Sequence, residues 1–493
     1  MAHRISVNPE WPVTALFKQV DDRPDVVKQF HEALLHYLQK KYSRSIAILE
    51  NLALSIQEWP IFYNSSLGYT QLGYFDVAHQ YLRRAQELGL PERFVDAEID
   101  LLWLMRRTDE AIQRVQRLRS PLLQGMYREL LGQSVSSPEE IKELRGNFLK
   151  SIRPSLRIAY FMTATNLCGG AKIILEHVHQ LSSKGHDVSI ISFDSVPDWY
   201  SVKVPFYQTD FRLSNLMDMP HFDIAVSGFF WLNLLCLRLA DRTYHFAQGD
   251  EWTFGYDLKV DPIMKDIVYQ FHALPNKQLV VSTFLAQAIA KNFDRSDSTL
   301  IANAVEDFFV PSDRSDPFQI IMVGSEMNAF KNVPVMMQAL DIVRLRGYPI
   351  KVIWVSSTPR QNQSFVCDFY ERPDRYLLAD LYRSSGVFIS ASDFEASPLV
   401  FIEAMKSRLA IVTSDSGGVR DYIRDGENAI VVQKIVADHF ADAIERLLSN
   451  DVLRETLSNN AWEASRRFNW RRSMEVLEDT FYDDLAINFP VIP

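Results

Sequence analysis

Short apolar runs of strand length alternate with helix-length segments along most of the chain after residue 155, and this alternation occurs twice. The first set has six runs, at 156–164, 187–193, 222–230, 243–248, 278–283 and 299–305. The second set has five, at 318–325, 350–357, 386–392, 409–416 and 428–433. Near-continuous apolar strands interleaved with helices are typical of a parallel sheet covered on both faces. The sequence therefore predicts two Rossmann-like, doubly wound α/β domains.

A polar, proline-containing stretch, VPSDRSDPF at 310–318, separates the two sets and is predicted to be the linker between the domains. Open α/β sheets bind ligands beyond the carboxyl ends of their strands. Two such domains predict a two-lobed enzyme whose site lies in the cleft between the lobes.

Residues 24 to about 120 show helical periodicity throughout. Three similar segments place Ile46, Ala78 and Ala111 at equivalent positions, 32 and 33 residues apart. This section resembles tetratricopeptide repeats, whose period is about 34 residues, and a plain helical bundle is the alternative. We expect an all-α helical-repeat domain ahead of the α/β domains.

The net charge of −10 argues against a general nucleic-acid-binding protein, because such proteins present a basic face. Cys168, Cys236 and Cys367 lie far apart, which suits a reducing compartment and provides no structural zinc site. The first residues lack the apolar core of a signal peptide. The apolar run at 228–240 is too short to span a bilayer, and it is interpreted either as a buried strand–helix unit or as a helix face at a membrane surface. We expect a cytoplasmic protein with at most peripheral contact with the membrane.

The stretch SDFEASPLVFIEAM at 392–405 follows a predicted strand and combines two carboxylates with a helix start. Ser397 is a suitable N-cap and Pro398 a suitable first helical residue. Glu395 is then in the loop at the carboxyl end of the strand, and Glu403 is inside the helix. The first N–H groups of such a helix favour an anion such as a diphosphate. The combination suits a nucleotide sugar, whose two rings present paired hydroxyls.

Residues 381–432 closely resemble the donor-binding segment of the retaining GT-B glycosyltransferases of family 4. The family pattern is an E-x7-E pair, a Gly-Gly step before a helix, an Asp-Gly-x-Asn turn and a closing Phe-x-Trp. The matching residues are Glu395 and Glu403, Gly417 and Gly418, Asp425 to Asn428, and Phe468 to Trp470. The resemblance covers about residues 156–485. It implies a metal-independent transferase without a cofactor, and we find no D-x-D metal motif in the sequence.

The helical periodicity and the family resemblance together divide the chain into four parts. They are a helical domain at 1–150, an acceptor domain at 151–312, a nucleotide-sugar donor domain at 313–468, and a closing helix at 469–493 that crosses back to the acceptor domain.

The resemblance also assigns roles in the second lobe. Glu403 would hold the ribose hydroxyls, Glu395 the transferred sugar, and Lys331 the diphosphate, although a solvated lysine before a helix is the alternative for Lys331. The remaining donor-binding positions are Ser397, Pro398, Leu399, Gly324 and Ser325.

In the first lobe, Gly169 and Gly170 resemble the glycine-rich loop of the family, which lets the backbone approach the donor phosphate. A plain strand–helix turn is the alternative. The segment YHFAQGDEW at 244–252 matches the strand end where the family places an active-site histidine next to an acid. The register is open. His245 is a candidate for the active-site histidine or only a strand residue, and in the second case Gln248 or Asp250 takes the histidine position. Asp250 is also a candidate for accepting the proton of the acceptor hydroxyl. This variant looks most like the branch that includes bacterial polysaccharide rhamnosyltransferases.

Three departures from the family pattern affect the donor more than the fold. Ser325 stands where the family often has an arginine that pairs with the lysine, and the sequence places neither Arg420 nor Arg360 as its substitute. Glu306 replaces the aspartate of the family's Asn-Gly-Val-Asp, and Arg408 stands near a position that is usually glycine.

Two functions are consistent with these residues. The first is a transferase that moves a hexose or deoxyhexose from a nucleotide diphosphate to a glycan, lipid-linked or protein hydroxyl, with retention of configuration. The second is a scaffold that binds a protein partner through its helical domain and carries an inactive transferase module.

Overall fold

The computed structural model describes residues 24–210, 219–249, 262–313 and 315–485. The first section of the described chain consists of helices, and consecutive helices pack against one another. They are α1 (Pro24–Leu38), α2 (Tyr42–Ala53), α3 (Trp59–Gln71), α4 (Phe75–Glu87), α5 (Val95–Leu104), α6 (Thr108–Val115), α7 (Pro121–Leu130) and α8 (Pro138–Ile152).

Small and apolar side chains allow close packing of these helices. The equivalent positions of the three similar segments, Ile46, Ala78 and Ala111, are all buried. Gly68 on α3 faces α2 so closely that a Cβ atom there would lie 2.7 Å from Cγ1 of Ile46. Because real Cβ atoms do not approach other atoms to that distance, glycine is required at this contact between α2 and α3.

The first lobe is a seven-stranded parallel sheet in the order β3-β2-β1-β4-β5-β6-β7. Its elements are β1 (Arg157–Met162), α9 (Gly169–Ser183), β2 (Asp187–Ser192), β3 (Phe206–Gln208), β4 (Phe222–Ser227), α10 (Asn233–Leu239), β5 (Ala240–Ala247), α11 (Pro262–His272), β6 (Lys277–Val280), α12 (Thr283–Phe293) and β7 (Ser298–Leu300).

The second lobe is a six-stranded parallel sheet in the order β10-β9-β8-β11-β12-β13. Its elements are β8 (Asp316–Val323), α13 (Val333–Leu345), β9 (Lys351–Ser356), β10 (Asp368–Glu371), α14 (Arg375–Ser384), β11 (Ser385–Ser390), α15 (Leu399–Lys406), β12 (Ala410–Ser414), β13 (Ile430–Val432), α16 (Ala437–Leu448), α17 (Asp451–Ser465) and α18 (Trp470–Leu485).

The predicted fold class is confirmed: two Rossmann-like sheets follow a helical section. All eleven predicted runs contain strands, but β3 and β10 were not predicted. Both are edge strands, and their side chains are partly or fully exposed, so they lack a buried apolar pattern. The predicted linker at 310–318 is too long, because β8 already begins at Asp316.

The apolar run at 228–240 is a buried unit. A turn at Phe230–Leu232 leads into α10, and most of its side chains pack below β4 and β5. This confirms the interpretation as a buried unit over the one at a membrane surface. Across the described ranges, every helix is too short or too polar to cross a bilayer.

Helix α18 follows the second lobe in the chain but packs on the other two sections, against α8, α9 and β5. The fully buried Arg145 of α8 pairs with Asp100, 2.6 Å away, and donates a hydrogen bond to the carbonyl oxygen of Leu485, 3.0 Å away. The Ser473 hydroxyl donates a hydrogen bond of 2.7 Å to the carbonyl oxygen of Ala302. The two chain crossings between the lobes therefore lie side by side.

Four buried histidines are held neutral in the fold. Burial lowers the pKa of His31 to about 4, of His177 to about 3 and of His245 to about 4, and that of His272 well below its ordinary value. His272 stacks on Phe293 with ring centroids 3.8 Å apart, and neither of its ring nitrogens has a hydrogen-bond partner among the described residues.

We expect the melting temperature to fall as the pH is lowered from 7.5 to 5. These histidines take up protons below about pH 6.5 in the unfolded chain but stay neutral in the folded one. The free energy of unfolding therefore decreases as the pH falls through this range. His272→Phe keeps the stacked ring but removes one titrating group, which should make the variant about 2 kcal/mol more stable at pH 5, relative to wild type, than it is at pH 7.5. Melting curves of both proteins at the two pH values test this, and parallel pH dependences would contradict it.

Candidate active site between the lobes

Glu395 lies in the loop between β11 and α15, at the carboxyl end of the second sheet. Its N–H donates to the carbonyl oxygen of Ser416, 2.7 Å away, and its carboxylate accepts a hydrogen bond of 3.0 Å from the Ser392 hydroxyl. Glu395 also pairs with Lys331, and both side chains are mostly buried. The loop thus holds a carboxylate and an ammonium group in direct contact at the cleft.

Lys331 is positioned by the turn Ala329–Lys331, which precedes α13. The N–H of Asp393 donates to the carbonyl oxygen of Phe330, 2.8 Å away, and the Asn332 amide donates to the carbonyl oxygen of Ala391, 3.0 Å away. These bonds join the lysine turn to the Glu395 loop. Gly324 lies below the turn, and a Cβ there would be 3.6 Å from Cβ of Lys331.

The glycine pair at 417–418 is explained by the packing of the Glu395 loop. Gly418 approaches this loop so closely that an added Cβ would lie 1.8 Å from the carbonyl oxygen of Ala396. Gly417 has a φ of +82°. The N–H of Gly418 donates a hydrogen bond to the Glu395 carbonyl oxygen, 2.9 Å away. Only glycine permits this backbone-to-backbone contact.

The helix that carries Glu403, α15, begins one residue later than the sequence predicts. Pro398 occupies the N-cap position in an extended conformation, and no side chain caps the helix. The predicted N-cap role of Ser397 is therefore wrong. The Asn303 amide donates to the Ser397 carbonyl oxygen at 2.9 Å and the Tyr422 hydroxyl to the Pro398 carbonyl oxygen at 3.3 Å, which holds the chain extended up to Pro398.

Glu403 is buried, and its carboxylate is part of a network of four charged side chains. Arg375 donates to Glu403 at 2.7 Å and makes two further bonds, of 2.6 and 2.8 Å, to Glu306. Lys172 of the first lobe donates to Glu306 at 2.8 Å. This interlobe ion network, Lys172–Glu306–Arg375–Glu403, alternates in sign and joins α9 of the first lobe to α14 and α15 of the second.

The pKa values of the network reflect its alternating charges. Burial alone would raise the pKa of Glu306, but the hydrogen bonds of Arg375 and the charge of Lys172 outweigh it and lower this pKa to about 2. Burial and the charge of Arg375 lower the pKa of Lys172, against the opposing effect of Glu306. Because the pKa of Glu306 is depressed, its contribution to folding is present above about pH 4.5 and is lost as the pH falls towards 2.

The glycines of the first lobe lie opposite the start of α15. Gly169 and Gly170 form the amino-terminal end of α9, where Cys168 is the N-cap. A Cβ on Gly169 would lie 3.9 Å from Cδ1 of Leu399, and one on Gly170 would lie 3.5 Å from the Gln248 amide. Both are ordinary contacts, so packing within the protein does not require glycine here. Gly169 therefore faces Leu399 of the other lobe at an ordinary van der Waals separation.

The candidates on β5 separate into two groups. His245 is buried within the sheet, with its Nδ1 3.0 Å from Oε1 of Gln278 and its ring 5.1 Å from that of His272, so the structure does not bring it to the cleft. Gln248 follows β5 and donates to the Gly170 carbonyl oxygen, 3.1 Å away, which brings it to the cleft. Asp250 lies outside the described residues.

Ser325 and the two arginines considered as substitutes have other partners. The Ser325 hydroxyl lies 2.6 Å from that of Thr358. Arg360 contacts Gln363 and Cys367 near the edge strand β10, and Arg420 pairs with Asp415. Neither arginine is bonded to Lys331 or Glu395.

Arg375 and Lys172 were not predicted as site residues. Arg375 begins α14 directly after β10, and β10 was not recognised as a strand, so its place at the carboxyl end of the sheet was not evident. Lys172 lies two residues after Gly170, and this closeness to the Gly-Gly step is the signal that was available.

The second lobe is similar to a known protein family. Residues 306–464, about a third of the chain, match the family model of glycosyl transferases group 1. The match covers most of the second lobe.

Two curated relatives match over part of their length. A D-inositol 3-phosphate glycosyltransferase from Acidothermus cellulolyticus is 29% identical over 171 residues, which are 34% of this chain and 34% of that protein. The capsular polysaccharide biosynthesis glycosyltransferase CapM from Staphylococcus aureus is 26% identical over 155 residues, or 30% of this chain and 40% of that protein. The matched part thus spans less than half of either relative.

Solved structures match both lobes. A glycosyltransferase from Rickettsia africae has a TM-score of 0.55 and 17% identity, covering 68% of this chain and 99% of that one. Anabaena HepE in complex with UDP and glucose has a TM-score of 0.56 and 13% identity, covering 66% of this chain and 99% of that one. Two lobes with this likeness have the GT-B fold, and the helical section is additional to it.

We expect Arg375→Ala to lower the free energy of unfolding by about 2 kcal/mol, because it leaves the buried Glu403 carboxylate without its cation. Adding Glu403→Gln should recover part of this loss. Arg383→Ala on the same helix removes only an exposed pair with Asp380 and should change stability by less than about 0.5 kcal/mol. Urea unfolding of the variants tests this, and equal stability of the Arg375 and Arg383 variants would contradict it.

Gly418→Ala should lower the melting temperature by several degrees, because its Cβ would overlap the Ala396 carbonyl group. Gly170→Ala is the matched control, since its Cβ meets only ordinary contacts and alanine favours the helix. We expect this variant to melt at the wild-type temperature or slightly above. An equal fall in melting temperature in both variants would contradict this prediction, because the close backbone contact is present only at Gly418.

Proposed function

We propose that the protein transfers a hexose or deoxyhexose from a nucleotide diphosphate to a hydroxyl of a glycan, lipid-linked or protein acceptor. The observation that carries the proposal is the convergence of Glu395, Lys331 and Glu403 at the carboxyl end of the second sheet, with Gly169 and Gly170 opposite. The group 1 match of the second lobe supports the same reaction class. It also weighs against the alternative of a scaffold with an inactive transferase module.

Each group takes the role that the resemblance to the family 4 enzymes assigns to it. The Glu403 carboxylate accepts hydrogen bonds from the ribose hydroxyls, and the Glu395 carboxylate accepts them from the transferred sugar. Lys331 and the first N–H groups of α15 bind the diphosphate, whose charge grows as the glycosidic bond breaks. Because these groups stabilise the leaving diphosphate, we propose a metal-independent reaction without a cofactor.

The acceptor hydroxyl is the nucleophile in this proposal. It attacks the anomeric carbon while the cleft aligns the two substrates, and the configuration is retained, as in the family 4 enzymes that the sequence resembles. Asp250 remains a candidate for accepting the proton of that hydroxyl.

Donor binding requires two contacts of the ligand-free protein to change. Lys331 pairs with Glu395, and Glu403 pairs with Arg375. A bound diphosphate attracts Lys331, and ribose hydroxyls replace or share the contact of Arg375 with Glu403. In the ligand-free protein, Lys331 and Arg375 thus occupy the carboxylates of Glu395 and Glu403. When the donor binds, hydroxyls of the two sugar rings take over these contacts.

The helical section and the location complete the proposal. We propose that residues 1–150 form a tetratricopeptide-like domain that recruits the acceptor or a protein partner, with no binding of nucleic acid. The reaction takes place in the cytoplasm, with at most peripheral contact of the protein with the membrane.

The first test is a thermal-shift screen of the purified chain with UDP-, GDP- and dTDP-sugars in EDTA. A ligand at a hundred times its dissociation constant should stabilise the protein by about 2.7 kcal/mol. We expect a melting shift with one nucleotide that is reduced in Glu403→Gln and in Lys331→Ala.

A shift that requires added Mg²⁺ would contradict metal independence and leave the donor class intact. No shift with any nucleotide sugar would contradict the transferase proposal. Release of free nucleoside diphosphate from the stabilising donor then separates an active transferase from a protein that only binds the nucleotide.

A further inference from the structure

A second cavity, of about 570 Å³, lies where the chain crosses between the lobes. One wall is the first crossing at Ala302, and another is the second crossing, from Arg467 to Val476. The carboxyl end of β6 and the start of α12 contribute Val281 and Phe284. The cavity therefore touches both lobes and both crossings.

Four arginines line this cavity: Arg420, Arg424, Arg467 and Arg472. Asp421 is the one acidic lining residue, and its carboxylate accepts hydrogen bonds from the N–H and hydroxyl groups of Thr283. The excess of positive charge contrasts with the net charge of −10 of the whole chain. A cavity with this lining attracts anions.

Three of the arginines are without a carboxylate partner in the described part of the chain. Arg424 donates to the carbonyl oxygens of Ile423 and Arg420, and Arg467 donates to that of Asp421. The Arg472 guanidinium forms neither a hydrogen bond nor an ion pair with a described residue. Like charges around one cavity repel one another, and a bound anion would convert this repulsion into attraction.

We propose that this cavity binds a small phosphorylated molecule of the size of a sugar phosphate. The planar guanidinium group pairs with phosphate oxygens through two parallel hydrogen bonds. The volume lies within the range of about 300–1,000 Å³ typical of small-molecule sites. Phe284 and Tyr422 provide ring surface, and Gln287 and Asn469 provide polar groups for hydroxyls.

The cavity shares Ser397 with the proposed donor residues but none of the charged ones. Lys331, Glu395 and Glu403 do not line it, and Ser397 is the donor-loop residue that does. A phosphate bound here would lie beside Ser397 of the loop between β11 and α15. The inference therefore stands whether or not the proposed transfer reaction is correct.

Isothermal titration calorimetry of the full chain with two probes tests the proposal: sodium pyrophosphate and glucose 6-phosphate. The double variant Arg467→Gln/Arg472→Gln should bind the probe about tenfold more weakly or worse, because each charged hydrogen bond contributes more than 1 kcal/mol. Arg471→Gln is the matched control, since Arg471 and Arg472 are both exposed but only Arg472 lines the cavity. Lys331→Ala should leave this binding unchanged.

Binding of glucose 6-phosphate that the double variant loses would identify a sugar phosphate as the ligand class. Binding of pyrophosphate alone, with the same loss, would support the phosphate site and identify an inorganic or leaving diphosphate as its source. Pyrophosphate binding that Lys331→Ala abolishes and the double variant retains would overturn the proposal, because the probe then occupies the donor cleft. Failure of the wild-type chain to bind either probe would also overturn it.

The nucleotide-sugar melting shift is the control for folding and for the proposed function. The double variant should keep the wild-type melting temperature and its shift with the donor. If the double variant loses probe binding but keeps the melting shift with the donor, the loss is due to the cavity. If the wild-type chain shows no melting shift with the donor, the result contradicts the proposed donor site and leaves the cavity proposal untouched.

Discussion

The buried carboxylate of Glu403 is the constraint on which the interlobe arrangement depends. A carboxylate removed from water must be paired or protonated, because desolvation of an isolated charge is costly. Arg375 supplies the cation, but it is shared with Glu306, whose second partner, Lys172, belongs to the other lobe. The buried carboxylate of Glu403 is thus linked to α14 through Arg375, to the first crossing through Glu306 and to α9 through Lys172. These ion pairs set the position of α9 against α14 and α15.

The loop that carries Glu395 is held by a different type of interaction. Backbone bonds at Ser416 and Gly418 on one side and at Phe330 on the other determine where its carboxylate lies. The side chain of Glu395 is therefore placed by main-chain geometry, whereas Glu403 is placed by its helix and balanced by ions. Two carboxylates that lie close in the sequence reach the same cleft for separate physical reasons.

The sequence predicted the parts of the fold in which burial produces a pattern. The central strands of both sheets have apolar runs and were therefore evident. The Gly-Gly step at 417–418 was found through the family pattern, and its backbone contact with the Glu395 loop is visible only in the structure. The edge strand β10 is short and exposed and has no such pattern, and Arg375 was missed with it. The start of α15 was misplaced by one residue because the preference of Ser397 for an N-cap is a local property, whereas the bond from Asn303 is a tertiary one. The register of the family's histidine position was left open between His245, Gln248 and Asp250, and only the pairing of β5 with β6 shows that the His245 ring is buried against Gln278.

The bond between Ser473 and Ala302 limits how the lobes can move. Two chain crossings that lie side by side form a hinge between the lobes. In a rotation about this hinge axis, the displacement of any point grows with its distance from the axis. The arginine-lined cavity is at the axis, so its walls change little as the lobes rotate. Glu306 is itself in the first crossing, between β7 and β8, so its contact with Lys172 ties α9 to the axis. A small molecule held at the axis would stiffen the rotation without blocking the entrance to the cleft.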